Sequence, residues 1–326
     1  MRVLSYHGVL DKSTTNETSL SYLFTDVADF EQQVRLLKRR ARLVSLAEIE
    51  ASLTGGNALP VDAVHMSFDD GYRNNLDAAE ILDRHAVPWS LFPVVDAVLD
   101  GYQPWFLRFA NAIWITPKVT LRDGTVVELD TIWRKRRFAK DAKAEIMSMP
   151  DADQDGAVDR LLAFPGMRTP SESVWPMLTV AELQQLHGAG VEIGNHSARH
   201  RNLSRCSDEA LEAEVVHSRA RLAHALGSPV LYFAYPDGRH DRRVRRVVGS
   251  SHELALATWT LRPAKSRLAL RRYEPLDGSE LDAILDRPEP WYGRRWARWT
   301  LPWRARELAM RVRPSRRQLL LETGGA

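Results

Sequence analysis

Two aspartates side by side, Asp69 and Asp70, followed by Gly71, are the first place where this sequence could do chemistry. They close a buried, strand-like run, Ala63–Phe68, and two acids there are costly unless something positive meets them. Neighbouring side chains on a strand diverge, so one carboxylate can bind a metal while the other stays free as a base. Alone, the triplet would also suit an ordinary turn. A second element, His196-Ser197-Ala198-Arg199-His200, sets two imidazoles four positions apart, a spacing that on a helical turn lets both reach one ion. With one carboxylate this makes a two-His, one-carboxylate set, which leaves positions open for water and substrate. A third, Phe233-Ala234-Tyr235-Pro236-Asp237-Gly238, ends a strand in a Pro-x-Gly turn whose backbone N–H groups could face a developing oxyanion.

These groups work together only if the chain brings three strand ends to one place. Short apolar runs alternate with amphipathic helical patterns: Val3–Tyr6 then Phe30–Arg42, Ala63–Phe68 then Asn75–His85, Trp89–Val95, Val180–His187 then Val191–Gly194, and Ala210–Leu226 then Val230–Ala234. That alternation predicts βα units around a parallel sheet or barrel, whose C-terminal strand ends face the ligand. Thr179 with Glu182 has capping-box spacing, and Ser207-Asp208-Glu209 starts the next helix. His217 and His224 read as surface or satisfied core.

With 326 residues and 44% hydrophobic side chains, the chain can bury a full core without metals or disulfides as staples. A formal net charge of +3 is too small to argue for nucleic acid as the main partner. The single cysteine, Cys206, excludes an internal disulfide framework and a cysteine-rich metal cluster. No run has the length of a signal peptide's apolar region or of a membrane span, and the expectation is a cytoplasmic protein.

In order and spacing, the three elements resemble the polysaccharide deacetylases of the NodB-homology class, carbohydrate esterase family 4. The resemblance covers most of Met1 to about Arg272. It implies an α/β fold, a distorted (β/α) barrel, over residues 1–285 with a helical insertion at about 101–175, followed by a basic, Trp- and Arg-rich extension over 286–326. It implies that Asp69 is the general base and that Asp70, His196 and His200 hold a divalent metal, zinc first with cobalt or nickel as alternatives. The backbone N–H of Asp237, beside Tyr235 and Pro236, would hold the oxyanion. The family's usual terminal Leu-x-His is missing from Leu268-Ala269-Leu270-Arg271-Arg272. The opening Leu4-Ser5-Tyr6-His7 instead resembles the permuted branch with an N-terminal Tyr-His strand, which makes His7 the general acid. Two positions depart from the pattern: Ala234 stands where the family commonly has the arginine that orients the base, and Asp237 replaces a frequent aromatic.

The implied activity is removal of an acetyl group from an N-acetylated sugar in a polysaccharide or a lipid-linked glycan precursor. Alternatives are a deformylase or other amide hydrolase on the same fold, or a silent glycan-binding protein. Retention of a paired acid beside a metal set speaks against the last. The insertion could cap the site or be a helical excursion with a solvated charged face. The tail, with Trp291, Trp296, Trp299 and Trp303 among arginines, suggests peripheral membrane or partner contact.

Overall fold

The computed structural model describes residues 1–13, 23–169, 173, 175–258, 266–275 and 278–286. They fall into two compact units, one within residues 1–104 and 175–286 and the other within residues 105–173. Beyond Asp286 the Trp- and Arg-rich tail lies outside the described residues.

The first unit is a distorted (β/α) barrel. Its strands are β1 (Arg2–Tyr6), β2 (Ala63–Asp70), β3 (Trp89–Pro93), β4 (Glu192–Ile193), β5 (Tyr232–Ala234), β6 (Leu254–Ala257) and β7 (Leu270–Tyr273). They run parallel in the spatial order β5-β6-β7-β1-β2-β3-β4. The ring closes from β4 to β5 through a parallel bridge of Asn195 with Phe233, where Asn195 N–H donates to the Tyr232 carbonyl and Ala234 N–H to the Asn195 carbonyl. A two-residue strand, Arg42–Leu43, also pairs with the start of β2.

Every residue of β2 is buried, so this strand reads as a continuous run rather than an alternating one. Tyr6 on β1 lies opposite Phe68 on β2, and Asp69 and Asp70 lie opposite Phe92 and Pro93 on β3. The last strand, β7, pairs with the first, placing Arg272 opposite Val3. The helix Val180–Gly188 begins with the expected capping box of Thr179 and Glu182, and Ser207 caps the helix at Asp208 through Ala210 N–H.

The second unit builds its own small core. The helices Trp105–Ile115, Ile132–Ser148 and Gln154–Leu162 and the hairpin Lys118–Thr120 with Val126–Glu128 bury Phe109, Ile113, Val119, Leu129, Ile146 and Leu161 together.

Candidate active site

Asp69 and Asp70 are the last two residues of β2, and both are buried. Regular strand geometry would send them to opposite faces. They do not diverge, contrary to the expectation from sequence: Asp69 Oδ2 and Asp70 Oδ1 lie 4.0 and 3.5 Å from Nε2 of His196. The reason is that Asp70 has φ 69°, a left-handed backbone that breaks the alternation. Gly71 follows with φ 83°, and a Cβ there would come within 2.9 Å of the Pro93 Cβ, so only glycine fits this turn.

What separates the two acids is their partners. Arg272, buried on β7, donates from Nη1 and Nη2 to the two Asp69 oxygens at 2.6 Å each, a fork-to-fork pair. Burial alone would raise the Asp69 carboxyl, but the charges of Arg272, His196 and His7 and the Arg272 hydrogen bond outweigh it and hold the group far below the usual carboxylate range. Asp70 has no such partner, and its buried Oδ1 accepts no hydrogen bond.

His196 and His200 approach from the loop after β4. The expected helical turn is absent, because Ser197 and His200 have φ 67° and 58° and cannot continue a right-handed helix. The imidazoles still converge, with ring centroids 4.9 Å apart. Among the described residues five non-glycine positions have positive φ, and four of them, Asp70, Ser197, His200 and Asp237, belong to the sequence elements singled out for chemistry. Such backbone strain persists only where surrounding structure enforces it.

Part of that enforcement comes from Glu214, which sequence reasoning missed. It lies in a π-helical segment, Ala213–His217, inserted between the helices Asp208–Glu212 and Ser218–Leu226. Its buried carboxylate accepts from Arg199 N–H at 2.9 Å and bonds the Ser197 side chain, while its carbonyl accepts from Ala198 N–H at 3.1 Å. Ser197 Oγ in turn accepts from His200 N–H at 3.0 Å. His217 and His224, by contrast, are exposed.

The donor set fits a divalent metal. The His196 ring bonds the Ala234 carbonyl at 2.8 Å through Nδ1, so Nδ1 carries the proton and Nε2 presents its lone pair toward Asp70. Burial first, with the neighbouring His200, keeps His196 below its ordinary pKa. Asp70 Oδ1 lies 3.5 and 3.6 Å from Nε2 of His196 and of His200, too long for hydrogen bonds. All three ligand atoms lie within 4.8 Å of one another. Donors about 2.0–2.2 Å from one tetrahedral ion would stand roughly 3.3–3.6 Å apart. An orphaned buried carboxylate oxygen facing two imidazole nitrogens is what such an ion would satisfy.

The remaining predicted residues lie on adjoining strand ends. His7 directly follows Tyr6, which pairs with Phe68 next to Asp69, and its charge acts on the Asp69 carboxylate. Asn75 Nδ2 holds the His7 carbonyl at 2.9 Å. Tyr235 is buried, with its hydroxyl on the Leu268 carbonyl at 2.8 Å, and Pro236–Gly238 forms a 3-10 turn. The turn's own bonds use the Gly238 and Arg239 N–H groups, and the Asp237 side chain is exposed to solvent.

The polysaccharide deacetylase family model matches residues 164–256, which span His196, His200 and the Asp237 turn and stop short of Arg272. No curated protein matches the sequence. Among solved structures the chain is similar to the Streptococcus pyogenes deacetylase PplD in complex with acetate, at 14% identity over 89% of this chain and 98% of that one, with a TM-score of 0.57. It is similar to IcaB from Ammonifex degensii at 16% identity, over 87% and 94% of the two chains, with a TM-score of 0.56. A polysaccharide deacetylase from Bacillus cereus shares 18% identity over 87% and 68%, with a TM-score of 0.53. The chain spans 64% of the length of a related Bacillus anthracis structure. Residues 164–256 thus match the polysaccharide deacetylase family model, and the barrel has the fold of the solved deacetylases.

Proposed function

We propose that this protein is a metal-dependent N-deacetylase acting on an N-acetylated sugar within a polysaccharide or a lipid-linked glycan precursor. One observation carries the reading: of two adjacent buried carboxylates, Asp69 is locked and charged by Arg272 while Asp70 is left to face His196 and His200. That division supplies a base and a ligand in one step of the chain. The solved deacetylase bound to acetate, the product of such a reaction, supports the choice of acyl group.

Asp70, His196 and His200 would hold the ion, with zinc the natural occupant of two imidazoles and a carboxylate. When bound, a divalent ion supplies Lewis acidity toward the acyl oxygen and acidifies its water ligand. Asp69 accepts the proton of the attacking water, and the Arg272 fork keeps its carboxylate charged and aimed. The Asp237 N–H, in the 3-10 turn that begins at Pro236, would hold the oxyanion. Outward placement of the Asp237 carboxylate avoids the repulsion that an inward acid would cause there. His7 gives a proton to the leaving nitrogen.

The test is acetate release from N-acetylated oligosaccharides and lipid-linked N-acetyl sugars by protein stripped of metal and refilled with zinc, cobalt or nickel. Release should depend on metal, vanish in His196→Ala together with metal binding, and vanish in Asp69→Asn with metal binding intact. Turnover by Asp69→Asn at the wild-type rate would overturn the assignment of the base. Formate release from N-formyl sugars without acetate release would move the enzyme to a different acyl group.

A further inference from the structure

The helix Ile132–Ser148 of the second unit has two faces with different chemistry. One buries Ala142 and Ile146 and packs Phe138 and Ala139 against the unit's core. The other is exposed and carries Trp133, Arg136, Arg137, Lys140 and Lys143, all within about 80° of the Trp133 position at 3.6 residues per turn. Asp141, at the margin, is the one acid among these exposed positions.

Trp133 is 74% exposed, and among the described residues no other Trp or Phe stands in the exposed class. Its indole lies beneath the Arg136 guanidinium at 5.7 Å. The helix holds six basic and two acidic side chains, a larger excess than the formal net charge of +3 for the whole chain. Positive charge is therefore concentrated here, around an aromatic ring that the fold does not use. Folding gains nothing from an indole left in water, whereas a bilayer interface takes its apolar body and leaves the N–H among head groups.

We propose that this face is a docking surface for an anionic lipid bilayer, with Trp133 entering the head-group region and Arg136, Arg137, Lys140 and Lys143 meeting lipid phosphates. A basic helical face centred on one aromatic matches the charge and polarity profile of such a surface. A soluble polyanion would satisfy the cations but give the central indole no apolar layer to enter. The inference stands on this helix alone and does not depend on the reaction at the barrel.

The experiment is co-flotation of the full chain with vesicles of phosphatidylcholine alone and of phosphatidylcholine mixed with phosphatidylglycerol, at low and high salt. The wild-type chain should float with the anionic vesicles only and be released by salt. The triple variant Trp133→Ala, Arg137→Glu, Lys140→Glu should bind at least about tenfold more weakly, because each reversed cation turns attraction into repulsion. Its thermal melt should match wild type, since none of the three side chains is in the core. Equal flotation of variant and wild type, equal binding to neutral vesicles, or no flotation of either would overturn the proposal. Binding of heparin by a chain that ignores vesicles would assign the face to a soluble polyanion instead.

Discussion

Arg272 grips Asp69 with both arms of its guanidinium, each 2.6 Å from a carboxylate oxygen, across 203 residues of sequence. Where the family pattern has an arginine, this chain has Ala234, whose carbonyl orients His196. In this chain the charge that holds the proposed base comes from β7, which reaches the site because it pairs with β1.

Arg272→Met should therefore lower turnover by about 10²–10⁴, the range lost with a general base. Burial, no longer opposed by the guanidinium, would push the Asp69 carboxyl up and favour the protonated, inactive form. Activity of the variant should then climb from acid to neutral pH where wild type stays flat. Arg272→Lys keeps a charge without the fork and should fall between the two. The check is kcat/KM against pH for the three proteins, and identical profiles would remove Arg272 from the mechanism.

Glu214 should control how tightly the metal is held. Its carboxylate receives Arg199 N–H and bonds Ser197, which accepts His200 N–H, so the strained loop is tied to it at two points. Glu214→Gln should weaken metal affinity by about 10–100-fold, as losses behind a ligand shell commonly do. It should also alter the visible spectrum of the cobalt form, which a general loss of stability would not. Metal titration and spectra of wild type and variant decide this.

How much of this was legible from the sequence depends on how local the cause is. Asp69, Asp70, His196 and His200 stand out because each follows an apolar run at a spacing that chemistry needs. Arg272 does not, because its partner is chosen by the pairing of the last strand with the first. The loop 196–200 read as helical because nothing in Ser197 or His200 announces a left-handed backbone; Glu214 and its neighbours impose it. Glu214 itself was hidden inside the helical pattern Ala210–Leu226, where a π segment turns a surface-like glutamate inward.

Gly71→Ala should destabilise the fold and distort the metal site together. The added methyl meets Pro93 Cβ at 2.9 Å, and φ 83° strains any residue with a side chain. Left-handed backbone costs about 1–2 kcal/mol and overpacking about 1–3 kcal/mol more. A lower melting temperature with weaker metal binding is expected. An unchanged melting temperature would show that the turn can relax.

Stability should fall in mild acid through two histidines outside the chemistry. His65 is buried between the Val44 carbonyl and Ser90 Oγ, both at 2.8 Å, and burial pushes its pKa from 6.5 down to about 4. Burial, with Arg219, pushes His252 down to about 3. Between those values and 6.5 the unfolded chain binds more protons than the folded one, so the stabilisation is present above pH 6.5 and is lost as pH falls. Fully realised, the two shifts correspond to roughly 3 kcal/mol for His65 and about 5 kcal/mol for His252. Thermal melts from neutral pH to pH 5 should show the decline, and His65→Gln should make it shallower; parallel slopes would mean that His65 titrates normally.

His7 is tested best by changing the leaving group. It sits just past the end of β1, half-buried, with its carbonyl held by Asn75 and its charge acting on Asp69. An amine leaving from a tetrahedral intermediate needs a proton, whereas a phenolate leaving from an aryl acetate does not. His7→Gln should lower kcat on the N-acetyl sugar by about 10²–10⁴, within the usual range for a general acid, and leave metal content unchanged. On the aryl acetate the same variant should keep most of its rate. Equal losses on both substrates would mean that His7 positions Asp69 rather than delivering the proton, since the base serves both reactions and the acid only one.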